Sequence, residues 1–174
     1  MKLFLILSII CLAFTSYTTS IYTFTIKNID GGNIPLSSFA GKKILLVNTA
    51  TNSPYVNQYA GLDSLYQLYR DSLVIIAIPS NSFGHELNNN NQIKNFVNNT
   101  YHIQYILAKK TDVKGNDKAP LYRWLALPSE NGMMRGKVNG DFYKFLINSS
   151  GTLIGIFNGS VQPMSTLMRN AVQN

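Results

Sequence analysis

Residues 42–54 read Lys-Lys-Ile-Leu-Leu-Val-Asn-Thr-Ala-Thr-Asn-Ser-Pro. The run Ile44–Val47 is short, continuous and apolar, the pattern of a strand buried on both faces inside a sheet. A polar segment from Thr51 to Asn57, punctuated by Pro54, ends it. Next, Tyr59, Leu62, Leu65, Tyr66 and Tyr69 recur at helical spacing, which predicts a helix laying one apolar face on that sheet. Leu73–Ile78 is a second apolar run, closed by Pro79. Strand, helix and strand in this order predict a parallel central pair. In such sheets chemistry collects where the first central strand gives way to the next helix. That point is Thr49–Tyr55.

Working outward, Tyr22–Ile26 alternates like a strand and Asp30-Gly31-Gly32 reads as a turn. The Asn-rich loop after His85 leads to a helix from about Gln92 to Asn99, and Tyr105–Ala108 reads as a short strand. Pro120–Leu127 is predicted helical, with Pro in the first turn, where its missing N–H costs little. Phe142–Ile147 and Leu153–Phe157 flank the turn Asn148–Gly151 as a hairpin. Met164, Leu167, Met168 and Ala171 form the predicted apolar stripe of a closing helix, with both methionines in the core. No repeat or long linker interrupts the chain, so residues 21–174 are expected to form one domain. The element order is that of a thioredoxin-like α/β fold, a central mixed β-sheet with helices on both faces.

Of 174 residues, 45% are hydrophobic and only 13% are charged, so neutral polar side chains, many of them Asn, must solvate the surface. The formal net charge is +7. Lys109, Lys110, Lys114, Lys118, Arg123, Arg135, Lys137 and Lys144 cluster in one stretch, read as a solvated basic face. They lack the aromatic interleaving of a nucleic-acid groove, and no nucleic-acid partner is expected. Lys2, the apolar run Leu3–Phe14 and the small polar residues Thr15–Ser20 form a secretory signal pattern, too short for a stable membrane span. Residues 1–20 are therefore expected to be removed on export, with the cut near Ser20. Lipid attachment at Cys11 is the disfavoured alternative. Cys11 is the one cysteine in the chain, so the processed protein would carry no thiol nucleophile, disulfide or Cys-based metal site. Asn98, Asn148 and Asn158 each begin an Asn-x-Ser/Thr pattern.

Several segments resemble signatures of the glutathione peroxidases. Ile29-Asp30-Gly31, Leu36, Gly41-Lys42 and Leu46-Val47-Asn48-Thr49-Ala50-Thr51 follow the opening of that family in order and spacing. Gln58-Tyr59-x-Gly61-Leu62 continues the likeness. Ile78-Pro79-Ser80-Asn81-Ser82-Phe83-Gly84 is similar to the second signature. Asp112-Val113-x-Gly115 and Pro120-Leu121-Tyr122 follow in register, and Phe142-x-Lys144-Phe145-Leu146-Ile147 resembles the last. The likeness spans about Phe24 to Met168. It implies a thioredoxin-like fold and an oxidoreductase that reduces hydroperoxides with thiols in the response to oxidative stress.

The family's catalytic positions carry different residues here. Where the resemblance implies Cys or selenocysteine stands Ser53; where it implies Gln, Ser82; where it implies Trp-Asn, Gly140-Asp141. Ser80 occupies one position used elsewhere for a resolving Cys. Trp124, in the helix after Pro120, is no substitute. Peroxide reduction needs a nucleophile that survives as a reducible sulfenic or selenenic acid, and a serine hydroxyl has no such cycle. The leading expectation is therefore an exported, non-catalytic binding or interaction protein. Its ligand, an unknown small molecule or protein, would sit at the former active-site end near Asn52, Pro54, Asn81, Phe83 and His85. Two enzymatic alternatives stand beside it: a glutathione peroxidase-type oxidoreductase, and a hydrolase built on Ser53, His85 and Asp141. No metal or cofactor is expected. The assembly loop of tetrameric members is missing between Gly115 and Phe142, which points to a monomer. The amides of Thr49–Pro54 are a further candidate for holding a small polar ligand at the following helix start.

Overall fold

The computed structural model describes residues 19–133 and 135–174, so the leader reading of residues 1–18 and Cys11 lies outside the described residues. Tyr22, expected in a strand, stands instead in a single 3-10 turn, Ile21–Thr23, because the Ser20 hydroxyl accepts the Tyr22 N–H and caps it. The first strand is displaced to Thr25–Lys27 (β1). It pairs antiparallel with Asn33–Pro35 (β2) around Gly31, whose φ of 94° suits the turn and would strain a side chain.

The predicted central strands are Lys43–Thr49 (β3) and Leu73–Pro79 (β4), parallel in register from Lys43↔Leu73 to Thr49↔Pro79. Between them runs Gln58–Tyr69 (α1). After β4 come Asn90–Tyr101 (α2), longer than expected because the Asn89 side chain caps it, and Ile106–Leu107 (β5). Pro120–Ala126 (α3) has Pro120 in its first turn, and Pro128–Asn131 (α4) follows. The hairpin strands are Lys144–Ile147 (β6) and Leu153–Phe157 (β7), and Thr166–Gln173 (α5) closes the chain. The sheet order is β5-β4-β3-β6-β7, parallel through β5, β4 and β3, with β6 antiparallel to both β3 and β7.

Successive residues of β3 and β4 serve opposite faces, as the strand period requires. Ile44, Leu46, Ile76 and Ile78 pack with Trp124, Leu125 and Phe145 on one side. Leu45, Val47, Ile75 and Ala77 pack with Leu62 and Leu65 of α1, Ile93 and Val97 of α2, and Met168 and Val172 of α5 on the other. The predicted stripe of α5 is therefore partly wrong. Met164 lies before the helix begins, and Leu167 is 59% exposed, while Val172 takes the inner position. The basic cluster also loses a member. Lys144 is fully buried on β6, its Nζ donating to the Phe142 carbonyl at 2.8 Å. Burial pulls that amine down to about 7.

Candidate functional site

Three segments meet at the carboxyl end of β3. The Ser80 N–H donates to the Thr49 carbonyl (2.9 Å), fixing residues 79–87 on one side. On the other, the Phe142 N–H donates to the Asn48 carbonyl (2.6 Å), and Asn48 Nδ2 donates to the Gly140 carbonyl (2.9 Å). Phe142 adopts φ 57°, an unusual backbone for a bulky residue. It is held by that amide bond and by its ring, which meets Tyr59 edge-on at 5.3 Å. The expected juxtaposition of Ser53, Ser80, Ser82, His85, Gly140 and Asp141 is thus a consequence of strand pairing.

Ser53 is only 3% exposed, and its Oγ accepts the Tyr55 N–H at 3.2 Å. It does not stand at a helix start. Turns occupy residues 51–57 and α1 begins at Gln58. The amides expected to greet a ligand are engaged within the protein. Thr51 N–H donates to Glu86 Oε1, Asn52 N–H to the His85 carbonyl, Ser53 N–H to the Ala50 carbonyl and Val56 N–H to the Ser53 carbonyl. Ser80 Oγ donates to Ser82 Oγ (3.0 Å), and Ser82 Oγ accepts the Val113 N–H (3.0 Å), so both serines brace β4 against the 113 loop. Asn52, Pro54 and Asn81 are exposed, and Phe83 is half-buried beneath the Lys114 ammonium, 5.2 Å from its ring centre. Trp124 sits away on α3, its indole N–H donating to the Thr19 carbonyl.

His85 and Asp141, 56 residues apart, form the site's one side-chain ion pair among the described residues. Nδ1 of His85 donates to Oδ2 of Asp141 at 2.7 Å. The carboxylate is buried while the imidazole is about half exposed. Beside them lies Glu86, which the sequence analysis did not single out. Its Oε1 accepts from the Thr51 hydroxyl (2.6 Å) and from the Thr51 and Leu87 amides. Burial raises the Glu86 pKa, and those hydrogen bonds and Lys110 oppose the rise. Burial also pushes the Tyr59 hydroxyl well above its ordinary value. Gln58 was missed too; its Nε2 donates to the Gly159 carbonyl at 2.6 Å. A Cβ at Gly159 would collide with the Asp141 carbonyl and the Tyr55 ring, so this glycine permits the close approach.

Chemically, the Asp141 carboxylate orients the His85 imidazole through one hydrogen bond. The pair has no nucleophile attached to it. Ser53 bonds to Tyr55 and His85 to Asp141, with no hydrogen bond between Ser53 and His85. No group of three or more His, Cys, Asp or Glu side chains among the described residues is placed to hold a metal ion. No helix among them is long and apolar enough to cross a membrane. His102 is exposed and left-handed (φ 49°) as the C-cap of α2.

The sequence profile of the family described as "Glutathione peroxidase" matches residues 21–126. The chain belongs to the glutathione peroxidase family. It is 33% identical over 154 residues to a probable phospholipid hydroperoxide glutathione peroxidase of Nicotiana sylvestris, covering 87% of this chain and 90% of that one. Among solved structures it is similar to Trgpx in its apo form, with 28% identity and a TM-score of 0.70 over 90% of this chain and 95% of the other. A thioredoxin-family thiol:disulfide interchange protein from Chlorobium tepidum superposes with a TM-score of 0.64 at 18% identity, over 90% of this chain and 95% of that one. The fold is thus thioredoxin-like, as the element order predicted. Glutathione peroxidase membership by itself supports a peroxidase-type oxidoreductase. The residues at the sheet end are what complicate it.

Proposed function

We propose that this member of the glutathione peroxidase family does not turn over hydroperoxides and serves as a binding or interaction protein. One observation carries the reading. The position the family resemblance assigns to the peroxide-attacking sulfur holds Ser53, which is buried and hydrogen-bonded to the Tyr55 amide. A hydroxyl there has neither the acidity nor the two-electron cycle that peroxide reduction requires. The neighbouring changes point the same way. Ser82 is spent on Val113, and Asp141 places a negative charge beside His85, where a thiolate would be opposed. The exposed Asn52, Pro54, Asn81 and His85 leave a polar surface for a partner or small molecule.

The test is consumption of hydrogen peroxide and an alkyl hydroperoxide, with glutathione and with thioredoxin as reductants. The unmodified protein should match a boiled control. A variant carrying Ser53→Cys, Ser82→Gln, Gly140→Trp and Asp141→Asn should recover turnover, since a Cβ at Gly140 meets only the Tyr143 ring, at 3.9 Å. Turnover in the unmodified protein would instead establish the peroxidase reading and require a mechanism without sulfur at position 53.

We further propose export with a mature start at Thr19 rather than after Ser20. The Thr19 N–H donates to the Glu130 carbonyl (3.0 Å), and its own carbonyl accepts from Trp124. Cleavage before Thr19 keeps both bonds and leaves Ser16 and Thr18 as the small residues preceding the cut. Amino-terminal sequencing of the exported protein checks it, and a start at Ile21 would refute it.

A further inference from the structure

On the sheet face covered by α3, away from Ser53, lies a cavity of about 170 Å³. Leu125, Val138 and Phe145 give it an apolar floor, and Phe145 is itself held edge-on against Tyr122 at 6.1 Å. Lys114, Lys118 and Lys137 stand around it. Among the described residues none of the three has an acidic partner. The ion pairs among the described residues are His85–Asp141, Lys94–Asp30 and Arg123–Glu130. Asp112 and Asp117 belong to the same loop as Lys114 and Lys118, yet neither lines the cavity. The shape is fixed by backbone contact. Gly136 is buried where any Cβ would run into the Leu125 carbonyl, so residues 136–138 lie pressed against the end of α3. Lys118 and Lys137, with Lys114 held over the Phe83 ring at 5.2 Å, bring three cations without acidic partners to an apolar floor, unlike the larger polar depression beside Asn89–Asn91, where Asp30 is already neutralised by Lys94.

We propose that this cavity binds a small aromatic carboxylate, its ring on Leu125, Val138 and Phe145 and its charge among Lys114, Lys118 and Lys137. Size selects the ring. An apolar cavity of about 150 Å³ is known to accommodate benzene, so 170 Å³ takes one ring and not a long acyl chain. Charge selects the anion, because a cation would meet three lysines with no counter-charge. The assignment goes beyond the reading of the former active site and does not depend on it. The peroxide assay can come out either way without altering what this cavity binds.

The test is an amide NMR titration of the ¹⁵N-labelled protein with 3-phenylpropionate. Propionate serves as the charge-only comparator and 3-phenylpropylamine as the ring with opposite charge. The expected result is saturable shifts at Val113, Lys118, Leu125 and Val138, with a Kd on the order of 0.1–1 mM for a ligand of this size. Both comparators should bind at least about ten-fold more weakly. The double substitution Lys118→Glu, Lys137→Glu, at a half-buried and an exposed lysine, should weaken 3-phenylpropionate by about ten-fold or more. Ala126→Leu, which fills the cavity, should abolish binding while the remaining spectrum stays native. The proposal falls if the amine binds as well as the acid, if shifts scatter over the whole basic surface, or if the two-lysine variant keeps full affinity.

Discussion

Two successive stretches of β3 and its continuation are equally buried and chemically opposite. Ile44–Val47 is wholly inside, apolar, and shared between cores on the two faces of the sheet. Asn48, Thr49, Thr51 and Ser53 are no more than 4% exposed, and every one is polar. The first stretch obtains its order from packing and the second from hydrogen bonds to the segments beside it. The family profile runs across both, matching residues 21–126. In the second, Asn48, Thr49 and Thr51 follow the family's opening signature, and Ser53 stands where the resemblance implies the peroxide-attacking sulfur. A scaffold stays recognisable at about one-third identity, and the fold alone does not fix what its site does.

The largest effect should come from the packed stretch. Leu46→Ala removes a fully buried side chain between Ile44, Trp124 and Phe145 neighbours, and should cost about 3–5 kcal/mol by denaturant unfolding. In the polar stretch the sensitive residue should be Glu86 and not Ser53. Glu86→Ala strands two amides and the Thr51 hydroxyl, an expected loss of about 2–4 kcal/mol. Glu86→Gln keeps an oxygen acceptor and should cost less than about 1 kcal/mol at neutral pH. It should also remove a pH dependence. With the folded pKa raised above 4.5, the native chain holds this proton longer than the unfolded chain, so the contribution of Glu86 falls as pH rises from 4.5. Equal losses in the Ala and Gln variants would show that the carboxylate charge, and not its acceptor geometry, orders the site.

The packed stretch was legible because its information is local. Four apolar residues in a row, a helix of period 3.6 and a second apolar run suffice to place β3, α1 and β4. The polar stretch was half legible. Its position followed from the strand order, but the His85–Asp141 pair joins residues 56 apart and is made by the antiparallel return of β6, which no local pattern announces. The amides of Thr49–Pro54, a candidate for holding a polar ligand, are engaged within the protein for a related reason. Those amides found carbonyl and carboxylate acceptors nearby, and α1 begins only at Gln58. Lys144 illustrates the converse. Charge composition put it on the surface, and only the alternation of β6 between two apolar cores shows it to be buried.

Lys144 supplies an effect that depends on pH. Its amine titrates near 7 in the folded chain and near 10.5 when unfolded, so between those values the unfolded state carries the extra proton. Stability should therefore rise with pH across that window, by at most about 1.4 kcal/mol per pH unit from this group. The burial penalty should be fully present below about pH 7. Lys144→Met should flatten that rise and leave the fold intact, measured as urea midpoints from pH 6.5 to 10. A rise that persists in the methionine variant would assign it to another group and return Lys144 to solvent.

The smallest effect belongs to the position where the family's chemistry would be centred. Ser53 Oγ accepts one amide hydrogen bond, from Tyr55 at 3.2 Å, and the site around it is braced by Glu86, Asn48 and Gln58 instead. Ser53→Ala should cost less than about 1 kcal/mol and leave peroxide consumption at background. That outcome would mean the serine is neither a support nor a catalyst. A loss as large as that of Glu86→Ala would mean something different. The hydroxyl would then be a structural element, built into the hydrogen bonding of the polar stretch. The two stretches of β3 would then differ in composition but not in how tightly they are constrained.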